Sequence, residues 1–252
     1  MNEKWQRFKY HAFQYAQDIE NPSVLRDDGE AYILKGWYPD EAMMEFVWSA
    51  NAPQPVIEAI GGEPGMLSFL PRAWVAAFEA AGFSVRNVFR DYRKNDLADV
   101  PADLFCEILT EAAEAAAVAN ACVGQSRGFT GATPKLMRQW IDGSPEGVRN
   151  AAVLGIRDVC ETLCGIVMTG VYGDKSEKGS VAWVRAVAVH PDHQNCGHGR
   201  ALVSAAISHG KQHGATRGFL AADDENTNAI HLYESLGFVP TAGEGEIAMW
   251  RR

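Results

Sequence analysis

Val187-Ala-Val-His-Pro-Asp-His-Gln-Asn-Cys-Gly-His-Gly-Arg200 is the stretch on which the reading of this chain turns. It opens on alternating apolar residues, the end of a strand. Pro191 and a run of polar residues make a turn, and Gly197 and Gly199 then stand at the mouth of an Ala/Leu/Ile-rich segment with helical spacing. Strand, glycine-bearing loop and helix N-terminus in that order make an anion site. The first N–H groups of a helix have no internal partner, and the helix dipole adds positive character there. Glycine lets a phosphate come close to the backbone.

The flanks extend this pattern. Val181–Val189 is the strand that feeds the loop, preceded by a strand pair, Ala151–Arg157 and Leu163–Tyr172, and by the polar loop Gly173–Ser180. Gly197–His213 is the helix after it, with Leu202, Val203, Ala206 and Ile207 on one face and Gly214 as its stop. A short buried strand, Gly218–Ala222, follows. Then come the polar turn Asp223–Asn228, the helix Ala229–Leu236 closed by Gly237, and two closing strands, Phe238-Val239 and Glu246–Trp250. Upstream, the pattern gives a strand over Leu104–Leu109 and a helix over Glu111–Cys122 capped by Thr110. The loop Gln125–Thr133 and a helix over Pro134–Ile141 follow.

The polar run Lys94–Pro101 breaks the pattern, so the expected domains are 1–100 and 101–252. In the first, spacing predicts an opening helix over 4–17 ended by Asn21-Pro22, then strands Ala31–Trp37 and Met43–Trp48. A helix over Pro55–Ile60, a strand over Gly65–Leu70, a helix over Pro71–Ala81 and a strand over Phe83–Tyr92 complete it. Phe78-Glu-Ala-Ala-Gly-Phe83 and Tyr233-Glu-Ser-Leu-Gly-Phe238 stand at the same place in their halves, which suggests a duplicated fold.

Bulk properties narrow the function. The 252 residues carry a net charge of −9, and both halves are acidic: 10 basic against 15 acidic side chains over 1–100, and 13 against 17 beyond. Nucleic acid and anionic membranes are thereby disfavoured as partners, and an amine substrate would suit the balance. Five cysteines, odd in number and without a Cys-x-x-Cys pair, read as reduced thiols of a cytoplasmic protein. The N-terminus lacks the apolar core of a signal peptide, and no apolar run approaches the roughly 18–20 residues of a membrane helix.

Two motifs together carry a resemblance. Gln194-x-x-Gly197-x-Gly199 follows a strand, and Asn226-x-x-Ala229-x-x-Leu232-Tyr233-x-x-x-Gly237-Phe238 lies downstream. Over about residues 102–252 the chain resembles the GNAT family of acyl-CoA-dependent N-acetyltransferases. The resemblance implies an α+β (mixed α/β) fold: a central twisted mixed sheet flanked by helices, with a smaller, degenerate GNAT-like domain before it. It implies acetyl-CoA as co-substrate, its pantetheine arm paired with the backbone of Val187, Ala188 and Val189. Its pyrophosphate would lie on the loop Gln194, Asn195, Cys196, Gly197, His198, Gly199 and Arg200, with Asn226 helping to place it. Tyr233 would stand near the thioester sulfur, where a hydroxyl with a pKa near ~10 can protonate or hydrogen-bond a leaving thiolate whose conjugate acid lies near ~8.5. Many family members carry a glutamate on the strand before the loop; here Val181–Val189 holds no carboxylate, and Trp183 takes the aligned place. Asp223, Asp224 or Glu225 is then the expected base, directly or through water.

Arg127 and Phe129 lie where the family places an acceptor-binding loop. The expected acceptor is a small-molecule or protein amine attacking in a ternary complex, and a homodimer is compatible with the reading. The alternative is a non-catalytic acyl-CoA-binding regulator or scaffold. No metal is expected, since His190, His193 and His198 with Cys196 fit no structural zinc pattern and two of them belong to the phosphate loop. The first domain has no equivalent glycine loop, and Phe78 stands where Tyr233 stands.

Overall fold

The computed structural model describes residues 3–13, 19–39, 42–100, 106–173, 179–243 and 245–252. The predicted residues 14–17, 104–105 and 174–178 lie outside them. The chain forms two compact units, Met1–Phe89 with Gly243–Arg252, and Arg90–Ala242. The first unit ends before the polar run Lys94–Pro101. The closing strand, read from sequence with the second half, packs in the first.

In the first unit, β1 (Tyr10–His11), β2 (Glu20–Asp27), β3 (Ala31–Tyr38) and β4 (Met43–Ala50) are followed by α1 (Pro53–Ile60), β5 (Gly65–Leu67), α2 (Val75–Ala80) and the start of β6 (Ser84–Lys94), whose residues from Arg90 belong to the second unit. β2, β3 and β4 are antiparallel, and β5 returns parallel to β4 across α1. Among the described residues the opening helix is not formed: a 3-10 turn over Glu3–Arg7 leads into β1, which pairs Tyr10 with Ala50 and His11 with Ser49. Tertiary contacts override the helical spacing, because the Ser49 hydroxyl donates to the Trp5 and Tyr10 carbonyls and Ala12 N–H donates to Trp48 O. Pro22, read as a helix stop, lies in an edge strand at a register shift between Glu20 and Ser23, where a missing N–H costs no ladder bond. Ile33, Phe46, Trp48, Phe78, Ile247 and Met249 fill the core of this unit.

The second unit runs β7 (Glu107–Ile108), α3 (Ala112–Ala121), α4 (Pro134–Ile141), β8 (Arg149–Arg157), β9 (Leu163–Tyr172), β10 (Val181–Val189), α5 (His198–Gln212), β11 (Arg217–Asp223), α6 (Thr227–Ser235) and β12 (Val239–Pro240). β13 (Glu246–Arg251) pairs with β5 and with Ser84–Phe89 of β6. Thr110, the expected cap of α3, gives way to Glu111, which makes no side-chain capping bond.

β8, β9 and β10 form an antiparallel set, and β11 runs parallel to β10 across α5. Every residue from Leu163 to Val171 of β9 is buried, because helices cover both faces. Leu163, Ile166 and Met168 pack with α3 and α4, while Cys164, Val167 and Val171 pack with α5. The predicted apolar face of α5 is the buried one: Leu202, Val203, Ala206 and Ile207 are all closed to solvent. Leu202, Val203 and Ile207 each contribute about 1.5–3 kcal/mol of burial. Gly210 brings α5 onto β10: a Cβ there would come within 2.2 Å of the Ala182 Cβ.

The two echoing segments share one local geometry. Gly82 and Gly237 have φ of 87° and 83°. Phe83 N–H donates to Phe78 O at 3.0 Å and Phe238 N–H to Tyr233 O at 3.1 Å. In both, the two rings meet edge to face. This is a Schellman stop with its hydrophobic contact, made twice.

Candidate active site

The site begins where two strands part. The β10–β11 ladder runs from Val181 opposite Arg217 to Val184 opposite Leu220 and ends there. β10 stays paired to β9 as far as Val189 opposite Gly165. Arg185 is the extra residue of a bulge between Val184 and Ala186, which adds twist where the strands part. Among the described residues, Ala186–Val189 thus present a backbone edge without a strand on it, the kind of edge an extended ligand can pair with. Ala188 is buried against α3 and α4, and Val187 and Val189 are half-buried.

The loop after β10 is held from both sides. His190 N–H donates to Cys164 O at 2.8 Å. The Gln194 amide donates to Val189 O at 3.0 Å and to Gln125 Oε1 at 2.6 Å, tying the loop to the strand end and to the segment after α3. Asn195 has φ of 60° and Gly197 of 84°, so the chain turns through two left-handed residues into α5. A Cβ on Gly197 would meet nothing within 4 Å, so its glycine serves the backbone angle. Gly199 serves packing, since its Cβ would lie 3.2 Å from Leu232 of α6. Ala201 N–H makes the first helical bond, to Gly197 O. The N–H groups of His198, Gly199 and Arg200 therefore have no partner inside the helix and form a cradle for an anion. Cys196 is exposed, and its thiol donates to Gln194 O at 3.4 Å. Arg200 donates to the Ser235 hydroxyl at 2.7 Å.

On α6, Asn226 caps the helix by accepting from Ala229 N–H at 3.2 Å. Tyr233, 9% exposed, is pushed up to about 12 by burial. Its hydroxyl makes no hydrogen bond among the described residues. A neutral phenol without a protein partner is a donor available to a ligand.

The acidic turn and Arg127, read separately from sequence, form one cluster. Arg127 pairs with Asp223 at 3.0 Å, Asp224 at 2.7 Å and Glu225 at 2.7 Å. Asp223 is closed to solvent, its side chain 1% exposed. Burial works against the charged guanidinium, but the Asp223 hydrogen bond and the three carboxylate charges outweigh it and raise its pKa further. Phe129 packs in the α3–α4 core.

Trp183 is enclosed by aromatic rings, edge-on to Trp140 at 5.7 Å and to Tyr172 at 5.9 Å, and Tyr172 is edge-on to Phe219 at 6.1 Å. The Arg185 guanidinium stacks 5.7 Å from the Trp183 ring. A residue that the sequence motifs pass over reaches this box. Asp91, on β6, is half-buried, and its charge is felt at the Tyr172 hydroxyl. Burial raises its carboxyl above the ordinary range against the pull of Arg93, and its side chain makes no hydrogen bond among the described residues. No motif marks it, and a domain boundary drawn at residue 100 assigns it to the other unit.

No helix among the described residues is long and apolar enough to cross a membrane. The family model of the Acetyltransferase (GNAT) family matches residues 125–238. A mycothiol acetyltransferase of Kocuria rhizophila is 38% identical over 78 residues, 31% of this chain and 26% of that protein. An L-amino acid N-acyltransferase of Escherichia coli is 42% identical over 57 residues, 23% of this chain and 33% of that protein. The chain thus spans about a quarter to a third of the length of these curated relatives. Among solved structures, a tandem GNAT protein from the clavulanic acid biosynthesis pathway superposes with a TM-score of 0.57 at 19% identity, covering 89% of this chain and 80% of that one. That likeness speaks for the fold alone. The match over 125–238, which takes in the parted strands and the helix N-terminus between them, makes these residues similar to the GNAT acetyltransferase family.

Proposed function

We propose that the chain is an acetyl-CoA-dependent N-acetyltransferase acting by direct attack of an amine on the thioester. The observation that carries this is the unpaired Ala186–Val189 edge leading directly to the free N–H groups of His198, Gly199 and Arg200. A pantetheine amide chain fits the first and a pyrophosphate the second. The loop residues Gln194–Arg200 bind through backbone, with Gln194 and Asn226 as the side chains that fix its shape. Tyr233 donates to the leaving sulfur, a role that its neutral phenol supports.

For the base we favour Asp91. Asp223, Asp224 and Glu225 share Arg127, and each would have to give it up to take a proton. Asp91 has no such partner among the described residues, and its raised pKa brings it nearer the working range of a general base. The aromatic box around Trp183 would receive the apolar part of the acceptor. A small-molecule amine is the favoured class: the names of two relatives specify mycothiol and amino acids, and the net charge of −9 suits a cationic substrate. The first unit is proposed to be a degenerate copy of the same fold, since β2–β3–β4, α1, β5 and α2 repeat the order and sense of β8–β9–β10, α5, β11 and α6.

Calorimetry with acetyl-CoA, followed by an amine screen read as free-thiol release, tests the reading. Binding with turnover of some amine supports it. Binding without turnover across amines would favour an acyl-CoA-binding regulator, and no binding sinks both.

A further inference from the structure

Three side chains of metal-ligand type, distant in sequence, converge beneath the phosphate loop, where the sequence alone gave no zinc pattern. Asp158 opens the turn between β8 and β9, Cys164 is the second residue of β9, and His193 ends the short turn Pro191–His193. One ligand atom from each lies within 4.8 Å of the others. The backbone presents them. Asp158 Oδ1 accepts from Cys160 N–H at 2.8 Å and Thr162 N–H at 3.0 Å, which fixes the carboxylate and leaves Oδ2 without a protein partner among the described residues. The bond from His190 N–H to Cys164 O docks the His193 turn on β9. Cys164 is fully buried, and its thiol is turned to the Thr162 carbonyl at 3.2 Å. His193 packs edge-on to His190 at 5.8 Å, and neither of its ring nitrogens has a protein partner among the described residues.

We propose that Asp158, Cys164 and His193 bind a zinc ion, with a fourth position open. Thiolate and imidazole select a borderline-soft ion over magnesium or calcium, and three protein ligands with one open place suit zinc. Zinc bonds of about 2.0–2.3 Å set tetrahedral ligand atoms roughly 3.3–3.8 Å apart, so side-chain rotations of about an ångström close the set. As the zinc–sulfur bond forms, the Cys164 proton leaves to solvent. One carboxylate and one thiolate then balance the two positive charges, and the site is neutral beside the anion cradle. The bound ion fastens the β8–β9 turn to the phosphate loop.

The test is a Co2+ titration of the full-length protein followed by absorption. A thiolate-to-cobalt band with the ligand-field pattern of a four-coordinate ion should saturate at one ion per chain, and Zn2+ should displace it and raise the melting midpoint. His193→Ala, at a half-exposed turn, should weaken binding by at least about tenfold. Cys164→Ala should remove the thiolate band, and His213→Ala should change neither. Circular dichroism of each variant separates a lost site from a lost fold. The proposal fails if the wild-type protein gives no thiolate band or if the band survives Cys164→Ala. It also fails if the ion is lost in His213→Ala but kept in His193→Ala, which would move the metal to the His209–His213 pair.

Discussion

Tyr233→Phe separates what the residue does for the fold from what it does for the chemistry. The side chain is 9% exposed, its hydroxyl has no hydrogen bond among the described residues, and burial raises its pKa from 10.0 to about 12. The hydroxyl is not among the buried polar atoms left without a partner, so it keeps contact with solvent, and removing it should leave the stability within about 0.5 kcal/mol of wild type. The fully buried Phe78 at the corresponding Schellman stop shows that a phenyl ring is tolerated in this geometry. Turnover should fall. With Tyr233 as the proposed general acid, its loss should cost about 10²–10⁴-fold in kcat, while the affinity for acetyl-CoA, which in that proposal rests on β10 and the α5 N-terminus, should stay within about twofold of wild type.

The pH dependence gives a second check. A group whose folded pKa is raised keeps its stability contribution below its unfolded pKa and loses it as pH rises through the folded one. The wild type should therefore lose about 2–3 kcal/mol relative to the variant between pH 10 and about 12, from the shift of about two units. Urea unfolding across that range measures the difference. A variant that keeps kcat within about threefold of wild type, or that loses stability at neutral pH, would refute the assignment.

Asp91→Asn should lower kcat by about 10²–10⁴-fold and abolish an acid limb that in the wild type lies above the ordinary aspartate range near ~3.9, because the base works only when deprotonated. If Asp224→Asn removes that limb and Asp91→Asn does not, the base belongs to the Arg127 cluster. Arg127→Ala removes the guanidinium paired with the buried Asp223 carboxylate and should cost about 3 kcal/mol by urea unfolding, with Arg127→Lys recovering only part of it, since one ammonium cannot meet three carboxylates. Phe78→Tyr forces a hydroxyl into a fully buried place and should cost about 1–3 kcal/mol with no gain in turnover. A variant as stable as wild type would show that the two stops differ more than their backbones do.

What the sequence revealed was local. The phosphate loop and its flanks were readable because strand alternation, a glycine turn and a helical stripe each fit within a dozen residues, and β10 and α4 run as their patterns predict. Tyr10–His11 has helical spacing, yet it pairs with β4 because Ser49 and Trp48, far away in sequence, take its backbone bonds. Arg127 and the acidic turn each looked like a solvated or substrate-facing element, since no pattern links a residue before α4 to one after β11. Asp91 carried no motif at all. Its significance comes from burial and from Tyr172 of β9, which only the fold brings near it.

Under the proposed reading, the two halves of the chain divide their shared geometry into a part that is structural and a part that would carry chemistry. Both end a helix on the same glycine stop with the same pair of rings, so that motif is structural and says nothing of activity. Both send a helix from one strand to a parallel neighbour, so both have a helix N-terminus at the place where an anion would bind. In the first half that place is cancelled covalently. α1 begins Pro53-Gln54-Pro55, and two of its first three residues have no N–H to offer. In α5 the same positions are His198, Gly199 and Arg200, and all three donors survive. A proline is a good first residue for a helix that only has to start, and a poor one for a helix that has to hold a phosphate. The same division explains Phe78 and Tyr233: one ring closes a core, and the other closes a core while keeping a hydroxyl free.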